Sequence, residues 1–189
     1  MAVREILLFS EHRDSLRKKS CSMQYIDKKT ISLIKDLKDT LNASSDGIGL
    51  AAPQINVHQR VVVVCLGGRE SENFEPGPPI ALANPKIVHS ADERSDFDGC
   101  LSFPGLYGET IRSHHLRVTG LDENGESFDK TYESLDAVVV HHEIYHLDGI
   151  LFVDRVECMG DLYRFHKNET SEFLRVSLSD FDFSPHIRK

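Results

Sequence analysis

The sequence predicts an α+β protein. An amphipathic helix near the N-terminus is followed by several short strands that suit antiparallel pairing, and a second long helix lies in the C-terminal half. Runs of strands between separate helices are typical of α+β folds. The 189 residues are enough to bury a sizeable core, so we expect a single domain over 1–189, with 179–189 as a tail.

The first predicted helix covers residues 27–43, because apolar residues recur there at steps of three and four, namely Ile31, Ile34, Leu37 and Leu41. A run of turn-forming residues follows it. Four consecutive valines within 60–66 predict a buried strand. Short strands are expected at 80–83 and 86–88, and a hairpin at 116–121 and 127–132.

The second long helix is predicted over residues 134–148, with Gly149 placed to end it as a left-handed cap. The valine run 138–140 would also suit a strand, so the helix depends on the histidine spacing described below. Beyond Cys158 the pattern weakens. Phe165, Phe173 and Leu174 suggest a terminal helix before the tail.

Composition excludes several classes of partner. A formal net charge of -8 opposes binding to nucleic acid or to an anionic membrane surface, so no stable partner of either kind is expected. No apolar run is long enough to cross a bilayer, and the first twenty residues lack a signal-peptide core. Four widely spaced cysteines indicate free thiols in a reducing, cytoplasmic compartment.

The strongest chemical signal is the segment His142-Glu143-Ile144-Tyr145-His146. Residues four apart lie on one face of a helix, so His142 and His146 can bind one metal ion while Glu143 takes a proton from water. Two solvated surface histidines are the alternative. The apolar residues on the same face, Leu135, Val138 and Val139, argue against it, because unpaired imidazoles would be costly there.

A third ligand would define the enzyme class. Phe152 stands where an extended metalloprotease motif has its third histidine, and a phenylalanine side chain cannot bind a metal. A protease with a downstream carboxylate would need Glu157, Glu169 or Glu172, and none of them lies in a convincing motif. Upstream, Cys100 in Asp98-Gly99-Cys100-Leu101-Ser102 is the better candidate, although most lone cysteines are simply buried.

A third segment, residues 47–54 (GIGLAAPQ), combines small residues with an amide side chain. Its glycines allow the backbone to approach a ligand closely, and Gln54 can donate a hydrogen bond to a developing oxyanion. No lysine follows the glycines, so nucleotide binding is rejected.

These three segments together resemble the peptide deformylase family, whose motifs G-Φ-G-Φ-A-A-P-Q, E-G-C-Φ-S and Q-H-E-x-D-H occur in the same order. Here they read GIGLAAPQ, DGCLS and HHEIYH. The similarity extends from about residue 5 to 156. It implies small antiparallel sheets around a central helix that carries the HExxH motif.

The resemblance also implies a metal site. Cys100, His142 and His146 would bind one divalent ion, with ferrous iron favoured and zinc, nickel or cobalt able to use the same ligands. Glu143 would serve as general base and then as acid.

The remaining roles implied by the family concern the substrate, an N-formylmethionyl peptide that would lose its formyl group as formate. Gln54 and the backbone amide of Leu101 would polarise the formyl oxygen. The substrate would lie as an extended strand, in contact with Ile48, Gly49, Leu50, Leu135, Val138 and Val139.

Three positions depart from the family pattern: Asp98 replaces glutamate, His141 replaces glutamine and Tyr145 replaces aspartate. The family carboxylate at position 98 is expected to bind an arginine, for which Arg112 is the best match. Either these changes are neutral, or they alter substrate or turnover. The alternatives to a formylmethionyl deformylase are therefore a deformylase for another N-formyl compound and a weakly active relative that binds formyl peptides or metal.

Overall fold

The computed structural model describes residues 2–67, 76–156, 162–166 and 172–175. Its helices are α1 (Phe9–Leu16), α2 (Lys28–Asn42) and α3 (Ser134–Leu147), with short 3₁₀ turns at Ala52–Ile55 and Phe152–Arg155. Its strands are β1 (Gly49–Ala51), β2 (Val61–Val64), β3 (Ile80–Gly99), β4 (Leu106–Leu121), β5 (Ser127–Glu133), β6 (Leu162–His166) and β7 (Glu172–Arg175). The predicted α+β class is confirmed.

All strand pairs are antiparallel, and in the described ranges the strands follow one hydrogen-bonded path, β1-β2-β3-β4-β6-β7, with β5 also paired to β4. The separate small sheets expected from the sequence are thus joined by two long strands. β3 and β4 pair from Ala83 with Leu121 to Gly99 with Tyr107. This hairpin carries the chain from the core to the segment that contains Cys100.

The length of β3 and β4 differs from the sequence prediction, which expected strands only at 80–83, 86–88 and 116–121. Residues 89–97 of β3 are mostly exposed and charged or polar, so the apolar alternation of a half-buried strand is missing there. This region is held in an extended conformation by backbone pairing with β4 and not by burial of its side chains.

Helix α3 lies inside the fold. Ten of its residues are buried, from Ala137 to Val140, from His141 to Ile144, and at His146 and Leu147. Val139, Val140, Ile144 and Leu147 pack with Val62 and Val64 of β2, while α2 packs Leu33, Ile34, Leu37 and Leu41 against the other face of β2. Because α3 is buried almost all round, polar groups placed on it have to be satisfied inside the protein.

The predicted terminal helix is wrong for the described part of the C-terminal region. Residues 162–166 and 172–175 form β6 and β7, which continue the sheet beyond β4. The extended conformation of β6 depends on pairing with Leu106–Gly108, a distant contact that local sequence does not reveal, and β7 pairs in turn with β6. The predicted tail, 179–189, lies outside the described residues, as does Cys158.

At the C-terminal end of α3, Gly149 allows the N-terminal segment to pack closely. Gly149 has φ +72°, as predicted for a left-handed cap, and a Cβ there would lie 2.8 Å from the carbonyl carbon of Arg17. The Arg17 guanidinium binds Gly149 O and Asp154. Cys21, Cys65 and Cys100 are free thiols. Among the described helices, none is long and apolar enough to span a bilayer.

Candidate active site

Three side chains with metal-binding atoms converge where α3 passes the end of β3. The sulfur of Cys100 and one ring nitrogen each of His142 and His146 all lie within 4.8 Å of one another. Cys100 Sγ is 3.2 Å from His146 Nε2. His142 and His146 are buried, and a thiolate with two imidazoles is a donor set that suits zinc, iron, nickel or cobalt. The residues present therefore fit a divalent metal ion.

Asp98 fixes the orientation of His142. Its Oδ1 accepts from His142 Nδ1 at 2.9 Å, which leaves Nε2 as the nitrogen for a metal. Its Oδ2 accepts from Arg112 Nε at 3.0 Å and Nη2 at 2.6 Å, so the expected contact with Arg112 is confirmed. Burial opposes the charged form of Asp98, but His142 and Arg112 outweigh it and hold the Asp98 pKa well below its usual range. The shorter carboxylate thus still reaches both partners.

Glu143 lies against the backbone of β1. Burial raises the pKa of its carboxyl to about 7, and Oε2 has no hydrogen-bond partner among the described residues. A Cβ on Gly49 would lie 2.8 Å from Glu143 Cδ, so only glycine fits at that position without displacing the carboxylate. A carboxyl that titrates near neutrality and faces a cavity has the properties of a general acid–base group.

Two hydrogen-bond donors lie beside the cysteine. Gln54 Oε1 accepts from Ala51 N at 2.8 Å, which turns the Gln54 amide nitrogen toward Ser102 Oγ (3.2 Å) and Cys100 Sγ (3.5 Å). The backbone N–H of Leu101 makes no hydrogen bond within the described ranges, and Leu101 lines the same cavity. Gln54 and the Leu101 amide therefore place two N–H donors beside Cys100, an arrangement that can stabilise an oxyanion.

The cavity beside these groups has a volume of ≈ 330 Å³. Of the predicted substrate-contacting residues, it is lined by Ile48, Gly49, Leu135, Val138 and Val139. Leu50 does not line it, because alternation along β1 turns that side chain into the core, where it is fully buried. His146 also lies below the cavity surface, fully buried.

Sequence reasoning missed an aromatic rim at the mouth of the cavity, formed by Phe97 and Tyr107. Their rings are stacked at 5.5 Å with an interplanar angle of 5°, and both residues line the cavity. Phe97 is 51% exposed. Strand alternation from Gly99 would have placed Phe97 on the cavity face, but only if β3 had been recognised as extending that far.

The two remaining departures from the family pattern lie next to the two histidines of the candidate metal site. The His141 ring is buried, accepts from Ser113 N at 3.3 Å, and packs edge-on against Tyr145 at 4.3 Å. Burial lowers the pKa of His141 to about 3, so this imidazole is neutral. Tyr145 is half-buried, with the guanidinium groups of Arg112 and Arg155 over its ring.

The fold and the site define the class of this protein as a hydrolase built on a His-Glu-x-x-His helix. Comparison with known families narrows the class. The family profile described as "Polypeptide deformylase" matches residues 3–161. The chain belongs to the peptide deformylase family, and it is a deformylase enzyme.

Individual relatives cover most of the chain. A peptide deformylase of Thermomicrobium roseum is 42% identical over 172 residues, which are 91% of this chain and 96% of that protein. One from Heliobacterium modesticaldum is 43% identical over 157 residues, 83% and 96% of the two chains.

Solved structures show the same fold. A peptide deformylase from Ehrlichia chaffeensis in complex with actinonin matches with a TM-score of 0.74 and 30% identity, covering 83% of this chain and 90% of that one. One from Legionella pneumophila matches with a TM-score of 0.72 and 38% identity, covering 82% and 87%. The family resemblance drawn from the three motifs is confirmed.

Proposed function

We propose that this chain removes the formyl group from N-formylmethionyl peptides and releases formate and a free amino terminus, using one divalent metal ion on Cys100, His142 and His146. The convergence of these three donors within 4.8 Å, beside a buried Glu143, is the observation that carries the proposal. One thiolate and two imidazoles suit iron, zinc, nickel and cobalt.

The expected roles follow from position. When bound, the metal ion supplies Lewis-acid polarisation of the formyl oxygen and of the attacking water. Glu143 takes a proton from the water while the water oxygen bonds to the formyl carbon. Glu143 then returns the proton to the amide nitrogen as the C–N bond breaks. The Gln54 amide and the Leu101 N–H donate to the oxygen that gains negative charge.

Substrate alignment is assigned to β1 and α3. Among the described strands β1 pairs only with β2, so its outer edge can hydrogen bond to an extended peptide. Leu135, Val138 and Val139 form an apolar wall of the cavity that suits an unbranched, methionine-like side chain. These features favour a formylmethionyl peptide over a small polar formamide.

The experiment that tests this proposal is formate release from a formyl-Met peptide by metal-loaded protein and by Glu143→Gln. We expect the variant to lose at least about 100-fold in kcat, because general acid–base catalysis contributes roughly 10²–10⁴-fold. Metal stoichiometry should remain that of the wild type, since Glu143 is not assigned as a ligand.

The matched control is Glu133→Gln, because the Glu133 side chain is 75% exposed and lies at the start of the same helix. It should retain wild-type activity. Full activity in Glu143→Gln would contradict the assigned mechanism. Turnover of other N-formyl compounds but not of formyl-Met peptides would replace the substrate, and metal binding without any turnover would indicate a silent relative.

A further inference from the structure

Arg112, a buried arginine beside the site, uses only some of its N–H donors in hydrogen bonds. Arg112 is 1% exposed, and its Nε and Nη2 both donate to Asp98 Oδ2. Its Nη1 has no hydrogen-bond partner in the part of the chain that the structure describes. A buried guanidinium with an unused N–H₂ group is costly unless another group stabilises its charge.

The face of an aromatic ring lies beside that guanidinium. Arg112 Cζ is over the Tyr145 ring, 5.7 Å from its centroid, within the range in which a cation is attracted to an aromatic face. Arg155 Cζ is 5.6 Å from the same centroid. The edge-on His141 ring, 4.3 Å away, limits the freedom of the tyrosine to move from this place.

We propose that Tyr145 is a positioning residue whose ring face holds the Arg112 guanidinium against Asp98, and through Asp98 holds the His142 ring. The order of contacts is Tyr145 ring, Arg112, Asp98 and His142 Nδ1. Tyr145 makes no contact with substrate or metal in this scheme. The link to metal binding rests on the proposed function, whereas the link from Tyr145 to Arg112 does not.

The proposed contact uses the ring face of Tyr145 and not its hydroxyl. Substitutions can therefore separate the effect of the aromatic ring from the effect of side-chain volume. Tyr145→Phe keeps the ring face and should behave as wild type. Tyr145→Leu keeps an apolar side chain and a high helix propensity but has no π face. A residue that merely filled space would tolerate leucine about as well as phenylalanine.

The direct measurement is hydrogen exchange of the Arg112 Nε–H by NMR in the purified full-length protein. We expect exchange at least about tenfold faster in Tyr145→Leu, and within about twofold of wild type in Tyr145→Phe. Tyr25→Leu is the matched control, because Tyr25 is 69% exposed and does not line the cavity. Unchanged Arg112 exchange in Tyr145→Leu would overturn the proposal.

Metal affinity, measured by competition with a chelator using Zn²⁺ or Co²⁺, is the second readout. A weakened orientation of His142 should lower affinity about 10- to 100-fold in Tyr145→Leu but not in Tyr145→Phe. Equal losses in both variants would also overturn the assignment to the ring. If wild type binds no metal, the proposed function fails, and Arg112 exchange still decides the role of Tyr145.

A second pair of variants covers the case in which leucine prevents folding. Tyr145→Asp supplies a negative charge for Arg112, and Tyr145→Asn has nearly the same shape without that charge. We expect slow Arg112 exchange in the aspartate variant and fast exchange in the asparagine variant. The same exchange rate in both would show that Arg112 needs no partner at position 145.

Discussion

Among single residues, Asp98 connects the two parts of the site that come from different elements. It lies one residue before the end of β3, yet its two carboxylate oxygens reach Arg112 on β4 and His142 on α3. Its side chain is 7% exposed, so its carboxylate interacts with both partners with little screening by solvent. Removing the charge of Asp98 would leave Arg112 buried without a counter-ion.

We predict that Asp98→Asn lowers both stability and metal affinity. Breaking a buried ion pair by removing one partner costs about 3–5 kcal/mol in the free energy of unfolding. Loss of the carboxylate that orients His142 should weaken metal binding by about 10- to 100-fold. Urea unfolding and chelator competition measure the two effects separately.

The control for this variant is Asp129→Asn, which breaks an exposed pair between Asp129 and Arg117 on the paired strands β4 and β5. Exposed pairs contribute little, so neither stability nor metal affinity should change measurably. If Asp98→Asn behaves like Asp129→Asn in both measurements, the central role given to the buried carboxylate is incorrect.

At the scale of elements, the β3–β4 hairpin contributes three different parts of the site: a candidate metal donor, a carboxylate that orients a histidine, and an aromatic rim. The loop that follows β3 presents Cys100, Asp98 near the strand end orients His142, and Phe97 with Tyr107 forms the aromatic rim. Both rim residues line the cavity, and Phe97 is exposed to solvent. A peptide whose first residue fills the cavity would pass this rim.

Phe97→Ala should therefore raise KM for formyl-Met peptides with an apolar residue after the methionine, by about threefold to tenfold, with kcat nearly unchanged. The loss of an exposed aromatic contact is expected to cost roughly 1 kcal/mol. Kinetics with a series of tripeptides measures this effect.

Val88→Ala is the control for Phe97→Ala, since Val88 is 46% exposed on the same strand but does not line the cavity. A fall in kcat with unchanged KM in Phe97→Ala would show that the rim affects the chemical step instead of peptide binding.

The elements differ in how well the sequence predicts them, and the reason is physical. Helix α2 is predicted by its apolar periodicity, strand β2 by a continuous valine run and helix α3 by the four-residue spacing of its histidines, and all three lie close to their predicted bounds. The outer part of β3, and β6 and β7, are held by backbone pairing with distant partners. Such pairing leaves no local apolar pattern.

The residues of the site also divide into those that the sequence indicates and those that only the tertiary structure reveals. Spacing on one helix indicates His142 and His146, and the three motifs together indicate Cys100 and Gln54 through the family resemblance. The direction of the Leu50 side chain depends on the strand register of β1, and the ring contacts of Tyr145 depend on three separate elements. Those features require the tertiary structure.

For the whole molecule, the three residues of the proposed metal site link the sheet to the helix buried against it. Cys100 follows β3, whereas His142 and His146 belong to α3, so a bound ion would cross-link two parts of the core that are 42 residues or more apart in sequence. A ligand that binds only the folded state stabilises it in proportion to the logarithm of its concentration over Kd.

Added Zn²⁺, Ni²⁺ or Co²⁺ should therefore raise the melting temperature of chelator-treated protein. At 100 times Kd the stabilisation is about 2.7 kcal/mol, which corresponds to a shift of roughly 5–10 °C for a protein of this size. His146→Ala should lose the shift relative to its own metal-free baseline. His114→Ala should keep it, because His114 pairs with Asp96 and does not belong to the cluster of Cys100, His142 and His146. An equal shift in both variants would mean that the ion binds elsewhere, and that the stability of this fold is not linked to the Cys100, His142 and His146 site.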